Sequence, residues 1–352
     1  MDKLRFAILG TGFWARFQLA GWMELDGVEC VALYNRTRAR AEALGKEFGI
    51  SAVYDDPEAL LDHEKLDFVD IITDVGTHAS LTRLAAERGL NVVCQKPMAT
   101  SLEEARSMVE RCQQAGVQLL INENWRWQYP MRQLKRILGE GRIGRVFRAR
   151  MHYCNSFPVF DNQPFLKELD QFILTDIGSH ILDTARYLFG EASSLYCHTA
   201  RVHPDIKGED VATVIMQMGD GISVVCEMSY ASHTEIEHFP QTYVYIEGDR
   251  GFLELGPDYT IRETTAEGTC IRRFPPKHYP WADPAYDLVH SSIVDEQADL
   301  LKHLKGEKSA ETTGEDNLKT VTLVNKSYAS AASGQSIFFP TGSISQETNG
   351  KS

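Results

Sequence analysis

The chain opens with an apolar run set against a glycine turn. Residues 4–9, Leu-Arg-Phe-Ala-Ile-Leu, read as a strand, Gly10-Thr11-Gly12 as a turn, and the amphipathic stretch that follows as a helix. The same two patterns then alternate. Residues 28–34, 52–54, 68–72, 91–94 and 117–121 have strand composition. Between them lie four helical stretches: one behind Thr37, one near 57–63, one behind Thr77 that ends at Gly89, and one opening at Ser101-Leu102-Glu103-Glu104. Thr37 and Thr77 are placed to cap their helices, and Ser101 with Glu104 has the form of a capping box. Strand and helix in alternation imply parallel pairing with right-handed crossovers. Residues 1–121 are therefore expected to form a doubly wound α/β domain.

After Asn122 the period changes. Helices are expected near 131–138 and 175–189, but residues 146–153, 211–218, 222–230, 241–247 and 251–255 alternate as strands. Gly219-Asp220-Gly221 and Gly248-Asp249-Arg250-Gly251 are hairpin turns. Strands without intervening helices predict a mostly antiparallel open sheet with helices on one face, an α+β domain over 122–340. Its last helices are expected near 285–305 and 315–333, and the polar residues 341–352 read as a loose tail.

Composition narrows the function classes. A chain of 352 residues suits two domains. A net charge of −13 argues against a nucleic-acid partner. No span approaches the roughly 20 apolar residues that cross a bilayer, so no membrane partner is expected. A strand begins almost at once, which leaves no room for a targeting segment, and a cytoplasmic protein is expected. The seven cysteines are scattered and never form C-x-x-C, which reads as free thiols in a reducing compartment without a structural zinc.

The glycine turn is the first chemical signal. In a dinucleotide fold Gly10 makes the tight turn, Gly12 lets a pyrophosphate approach the backbone, and Ala15 takes the third small position, where helix packs on strand. The helix start offers unpaired N–H groups to phosphate. Roughly twenty residues on, Asn35-Arg36 stands where an acidic residue would bind the ribose diol. Asn35 does not repel a 2′-phosphate and Arg36 can accept one, yet Arg36 can equally stack on adenine, so NAD and NADP both stay open.

Three separated pieces then agree: the turn at 10–15, Cys94-Gln95-Lys96-Pro97 after the fifth strand, and Asp176-Ile177-Gly178-Ser179-His180 in the second domain. Asn124-Trp125-Arg126 and Gly141-Arg142-Ile143-Gly144 follow the same order. From about residue 4 to 339 the chain resembles the oxidoreductases typified by glucose-fructose oxidoreductase and inositol dehydrogenase. The resemblance implies an N-terminal Rossmann domain that binds NAD or NADP through Gly10, Thr11, Gly12, Phe13, Trp14, Asn35, Arg36, Thr73, His78, Gln95 and Lys96. It implies that Lys96, Asp176 and His180 are catalytic. A sugar or polyol substrate is expected to be held by these three and by Asn124, Trp125, Arg126, Tyr153 and Asn155. Two departures stand out: Gln95 replaces the usual Glu beside Lys96, and Asp74-Val75-Gly76 precedes Thr77-His78 where many relatives carry proline and asparagine.

The residues themselves fit that chemistry. Oxidising a carbinol needs a base for the hydroxyl proton, and histidine titrates in the right range. Asp176 and His180 lie four apart on an expected helix, hence on one face, and Asp183 continues the stripe. His180 is read as the general base, with Lys96 and Asp176 holding and polarising the reacting oxygen. Lys96 would repel a cation, and no further ligand is in the motif, so no metal is expected. Trp125, Trp127 and Phe157 offer aromatic faces to a sugar ring, with core or interface packing the equal alternative for the two tryptophans, whereas Arg126 could instead bind a carboxylate; His290 is a weaker candidate. The expected reaction is oxidation of an aldose, with a pentose preferred, at C1 to a lactone. A glycosidase with transient oxidation by NAD and a non-catalytic nucleotide-binding regulator are the alternatives. Apolar groups on both faces of 211–218 and 222–230 predict a homodimer or homotetramer through the open sheet.

Overall fold

The computed structural model describes residues 3–235 and 239–339. Its elements in order are β1 (Leu4–Leu9), α1 (Phe13–Met23), β2 (Val28–Tyr34), α2 (Arg38–Phe48), β3 (Ala52–Tyr54), α3 (Pro57–His63), β4 (Phe68–Ile71), α4 (His78–Ala86), β5 (Asn91–Gln95), α5 (Leu102–Ala115) and β6 (Leu119–Asn122). There follow α6 (Tyr129–Gly139), β7 (Val146–Cys154), the short α7 (Val159–Asn162), α8 (Ser179–Phe189), β8 (Ala192–Ala200), β9 (Val211–Met218), β10 (Ile222–Ser229), β11 (Tyr243–Gly248), β12 (Gly251–Gly256), β13 (Thr260–Thr265) and β14 (Gly268–Arg273). The chain closes with α9 (Asp287–Leu304), α10 (Gly314–Ser333) and β15 (Ile337–Phe338). The expected tail at 341–352 lies outside the described residues.

The chain divides into two compact units, one of residues 1–127 and 278–321, the other of 128–277 and the residues from Thr322 on. In the first, the six strands run parallel in the order β3-β2-β1-β4-β5-β6. The central strands are apolar on both sides because both faces are covered. Phe6 and Ile8 of β1 join Leu19 and Trp22 of α1 on one face, while Ala7 and Leu9 join Leu81, Ala105 and Met108 on the other.

Two expected caps are made differently. Neither Thr37 nor Thr77 bonds its helix start through its side chain. The Thr37 N–H donates to Asn35 Oδ1 at 2.9 Å, and the Thr77 hydroxyl donates to Asp74 O at 2.8 Å. Ser101 does accept from Glu104 N at 3.1 Å, but the Glu104 carboxylate answers Thr100 N rather than Ser101 N, at 2.9 Å.

The helix expected at 285–305 is α9, and its contacts lie within the first unit. Gln297 Nε2 on α9 donates to Gln18 O and Gln18 Oε1 of α1 at 3.0 and 2.7 Å, and Leu300 and Leu301 enter the cluster around Phe6 and Trp22. An apolar helix face shows in the sequence; the surface it covers does not.

One buried charge sits inside this sheet. Asp70 of β4 is wholly buried and accepts from Trp22 Nε1 at 2.8 Å and Asn122 Nδ2 at 3.1 Å. Burial pushes its carboxyl up to about 7, against the pull of those two bonds. An acid with a raised folded-state pKa holds its proton more tightly in the fold, so this stabilisation is complete below pH ~4 and is lost as pH rises through ~7. Compared with Asp70→Asn, the wild type is expected to lose relative stability between those limits and none above. Parallel Tm–pH curves for the two proteins would refute this.

The second unit carries one nine-stranded sheet, β14-β13-β12-β11-β7-β10-β9-β8-β15, antiparallel except for the β7–β10 pair. Strands β8, β13, β14 and β15 were not anticipated. The side chains of β14 are mostly exposed and polar, so it lacks the alternation that marks a half-buried strand. The expected helix at 175–189 is α8 preceded by a single π turn, Leu174–Gly178.

Candidate functional site

Strand order reverses around β1, whose neighbours are β2 and β4. In open α/β sheets ligands bind outside the carboxyl ends of the strands at such a point. Gly10 stands there with φ +104°, and a Cβ on it would lie 2.6 Å from Ile72 O and 2.8 Å from Thr73 Cγ2. Only glycine fits. Gly12 is different: φ is −82° at the start of α1, and a Cβ there would meet nothing within 4 Å. The chain leaves this space open, as approach of a pyrophosphate requires. The Thr11 hydroxyl is buried without a hydrogen-bond partner, a donor suited to a phosphate oxygen. Ala15 is wholly buried at the third small position. These features fit a dinucleotide. Phe13 is 62% exposed and meets Trp14 edge-on at 5.3 Å, so both rings lie beside the turn.

Asn35 shapes the end of β2 through its bond to Thr37. Arg36 pairs with Asp74 at 3.6 Å, with both side chains at least 80% exposed. The Thr73 and Thr77 hydroxyls lie 2.7 Å apart; the single Thr77 proton goes to Asp74 O, so Thr73 is the donor of this pair. His78 is buried, with Nε2 3.1 Å from Thr73 O and Nδ1 3.2 Å from Pro97 O. Burial holds its pKa down. It thus braces the segment after β4 against the segment after β5, a use the expected cofactor contact did not include.

Lys96 is half-buried just past β5. Gln95 Oε1 accepts from Lys96 N at 2.9 Å, so the amide makes the backbone bond that a carboxylate would make, without its charge. A carboxyl near Lys96 comes instead from Glu123, one residue beyond Asn122, the register partner of Gln95. Glu123 is wholly buried and accepts from Trp125 N at 3.3 Å. Burial pushes its pKa up to about 7, while the charges of Lys96 and Arg126 pull it down. The sequence reading missed Glu123, although a polar residue at the carboxyl end of a parallel strand was the available signal.

Three expected substrate contacts are engaged within the first unit. Asn124 Nδ2 donates to Ser292 Oγ at 2.7 Å and Val289 O at 3.2 Å. Arg126 donates to Glu311 O and Asp316 Oδ2, both at 2.9 Å, with its side chain 6% exposed. Trp125 and Trp127 are buried. A guanidinium already holding a carboxylate is poorly placed to take a second from a substrate. His290 stacks on Phe17 at 4.2 Å, and burial pushes its pKa down to about 4, which marks a neutral core histidine.

In the second unit Asp176 lies in the π turn and is half-buried, whereas His180 is buried in the first turn of α8. Asp183 is wholly buried and pairs with Arg186 at 3.5 Å, which in turn holds Glu191 at 2.9 Å. It belongs to a structural ion network. Tyr153 is wholly buried and meets Tyr230 edge-on at 6.1 Å. Burial and then the nearby Tyr153 and Asp176 raise the Tyr230 pKa well above its usual value. Asn155 is wholly buried; its Oδ1 accepts from Phe157 N at 3.1 Å, and its Nδ2 has no partner. That donor suits a sugar hydroxyl. Among the described residues no helix is long and apolar enough to cross a membrane.

Known proteins resemble this chain over nearly its whole length. A model of the "Oxidoreductase family, NAD-binding Rossmann fold" matches residues 4–123, and one of the "GFO/IDH/MocA C-terminal domain" matches 131–254. A D-apiose dehydrogenase of Paraburkholderia graminis is 40% identical over 337 residues, covering 96% of this chain and 90% of that protein. Another, from Rhizobium rhizogenes, is 37% identical with coverage of 96% and 98%. The crystal structure of an oxidoreductase from Agrobacterium radiobacter, in complex with NAD+, L-tartaric acid and magnesium, superposes with TM-score 0.94 at 36% identity, over 96% of this chain and 98% of that one. Near full-length identity at this level, on a sheet whose glycine turn fits a dinucleotide, shows that the chain belongs to the GFO/IDH/MocA family of oxidoreductases, with an NAD-binding Rossmann domain.

Proposed function

We propose that this protein is an NAD(P)-dependent sugar dehydrogenase that oxidises an aldopentose at C1 to the lactone. The carrying observation is the near full-length similarity to two D-apiose dehydrogenases. When bound, the nicotinamide supplies the acceptor for the C1 hydride. The chain supplies the rest. Gly12, Thr11 and the N-terminus of α1 hold the pyrophosphate. His180 takes the C1 hydroxyl proton as the C–H bond breaks, Lys96 and Asp176 hold and polarise the oxygen that becomes the carbonyl, and Asn155 Nδ2 donates to a sugar hydroxyl. A screen of aldoses and polyols for NADH or NADPH formation tests the class. A pentose turned over with lactone as product supports the reading; formation of a ketone, or no turnover of any aldose, overturns it.

The Arg36–Asp74 pair bears on cofactor choice. Asp74 places a carboxylate beside the cation that would receive a 2′-phosphate, which favours NAD. Removing it as Asp74→Ala is expected to shift the ratio of kcat/KM values toward NADP. An unchanged ratio would release Asp74 from this role.

The proposal includes self-association through the outer face of the nine-stranded sheet. There Ile215 and Tyr196 are exposed between the Arg150–Glu227 and Arg148–Glu247 pairs and the sheet's far edge, while Val214, Met216 and Val224 line the buried face. Light scattering should give two or four times the chain mass of 39.6 kDa, and a single chain mass would exclude it.

A further inference from the structure

The helical segment bearing Asp176 begins without a cap of its own. Its first intrahelical bond runs from Asp176 N to Phe172 O at 2.9 Å, and no adjacent side chain caps the start. A helix leaves its first four N–H groups without intrahelical acceptors. Here two distant residues answer all four. Phe172 N donates to Glu209 Oε2 at 3.2 Å, Ile173 N to Glu209 O at 3.1 Å and Leu174 N to Glu209 Oε1 at 3.1 Å. Thr175 N donates to Tyr328 Oη at 3.2 Å.

The two acceptors are joined. The Tyr328 hydroxyl donates to Glu209 Oε1 at 2.8 Å and lies 3.0 Å from Thr175 Oγ1. An ionised carboxylate only accepts, so the single Tyr328 proton goes to Glu209 and the Thr175 hydroxyl donates to Tyr328. Burial, with the Glu209 charge behind it, raises the Tyr328 pKa, which keeps that proton in place. A carboxylate at this end also opposes the positive pole of the helix. The bonds stop at Thr175, one residue before Asp176, where the chain makes its π turn. Such turns are uncommon and concentrate at functional sites.

We propose that Glu209 and Tyr328 are positioning residues: they hold the first turn of this segment and thereby set where the Asp176 carboxyl stands. This rests on the role of Asp176 given above. A displaced reacting group costs rate rather than cofactor affinity. The nucleotide turn is built from other elements.

The test is a double-mutant cycle on the full chain, with kcat, both KM values and Tm measured for Tyr328→Phe, Asp176→Asn and the pair. Glu209→Gln serves as a second probe should Tyr328→Phe fold poorly. Tyr328→Phe is expected to lower kcat on the order of tenfold with the cofactor KM unchanged. In the Asp176→Asn background the same change is expected to have almost no further effect on kcat, because it acts through that carboxyl. A purely structural role would lower Tm and leave kcat alone, or would lower kcat equally in both backgrounds; either result overturns the proposal while Asp176→Asn remains impaired. Wild-type kcat in Asp176→Asn would instead sink the catalytic reading of Asp176, and this proposal with it.

Discussion

Replacing His180 by alanine is expected to lower turnover of the sugar by on the order of 10²-fold or more, with NADH binding intact. The argument is one of proton accounting. Taking hydride from a carbinol carbon leaves a hydroxyl proton that must go to a base as the carbonyl forms. An imidazole is suited to this near neutral pH. His180 is buried in the first turn of α8, directly after the π turn that carries Asp176. Steady-state kinetics alongside NADH fluorescence titration separates the two functions. Turnover within a factor of a few of the wild type would remove His180 from the role.

The second large effect is expected at Gly12. A Gly12→Val variant is expected to fold as the wild type does, since an added Cβ there would meet nothing within 4 Å. It should nevertheless lose cofactor affinity. A branched side chain would occupy the open space and push the pyrophosphate off the N–H groups of α1. Losing two charge-assisted hydrogen bonds at about 1.5 kcal/mol each removes about 3 kcal/mol, on the order of 10² in Kd. Gly10 provides the contrast, for there an added carbon strikes Ile72 O within the chain itself. Unaltered NADH binding in well-folded Gly12→Val would mean that the dinucleotide does not lie over this turn.

Legibility in the sequence followed the range of each interaction. The six strands of the first sheet and the glycine turn could be read because they depend on local periodicity and on backbone sterics. Lys96, Asp176 and His180 stand out because they sit in short motifs in a recognisable order, and their catalytic roles belong to the proposal. The contacts of Arg126 within the chain were not legible. Its partners, Glu311 and Asp316, lie some 190 positions away, and nothing near Arg126 announces them. Glu123 was overlooked for a related reason: its closeness to Lys96 comes from the register of β5 on β6. Polar edge strands such as β14 were missed because an exposed strand carries no alternating apolar signal.

The amino-acid order by itself determined that a parallel sheet comes first, that a glycine turn ends its first strand, and that the later strands pair mostly antiparallel. Each rests on steric and hydrophobic rules acting over a few residues. Tertiary structure alone decided that α9 returns to cover α1, that Arg126 is held by the chain's own carboxylate, and that Glu209 and Tyr328 answer the bare amides ahead of Asp176. Those outcomes depend on which distant group is close enough to satisfy a buried donor or cover an apolar face, and that proximity exists only once the chain has folded.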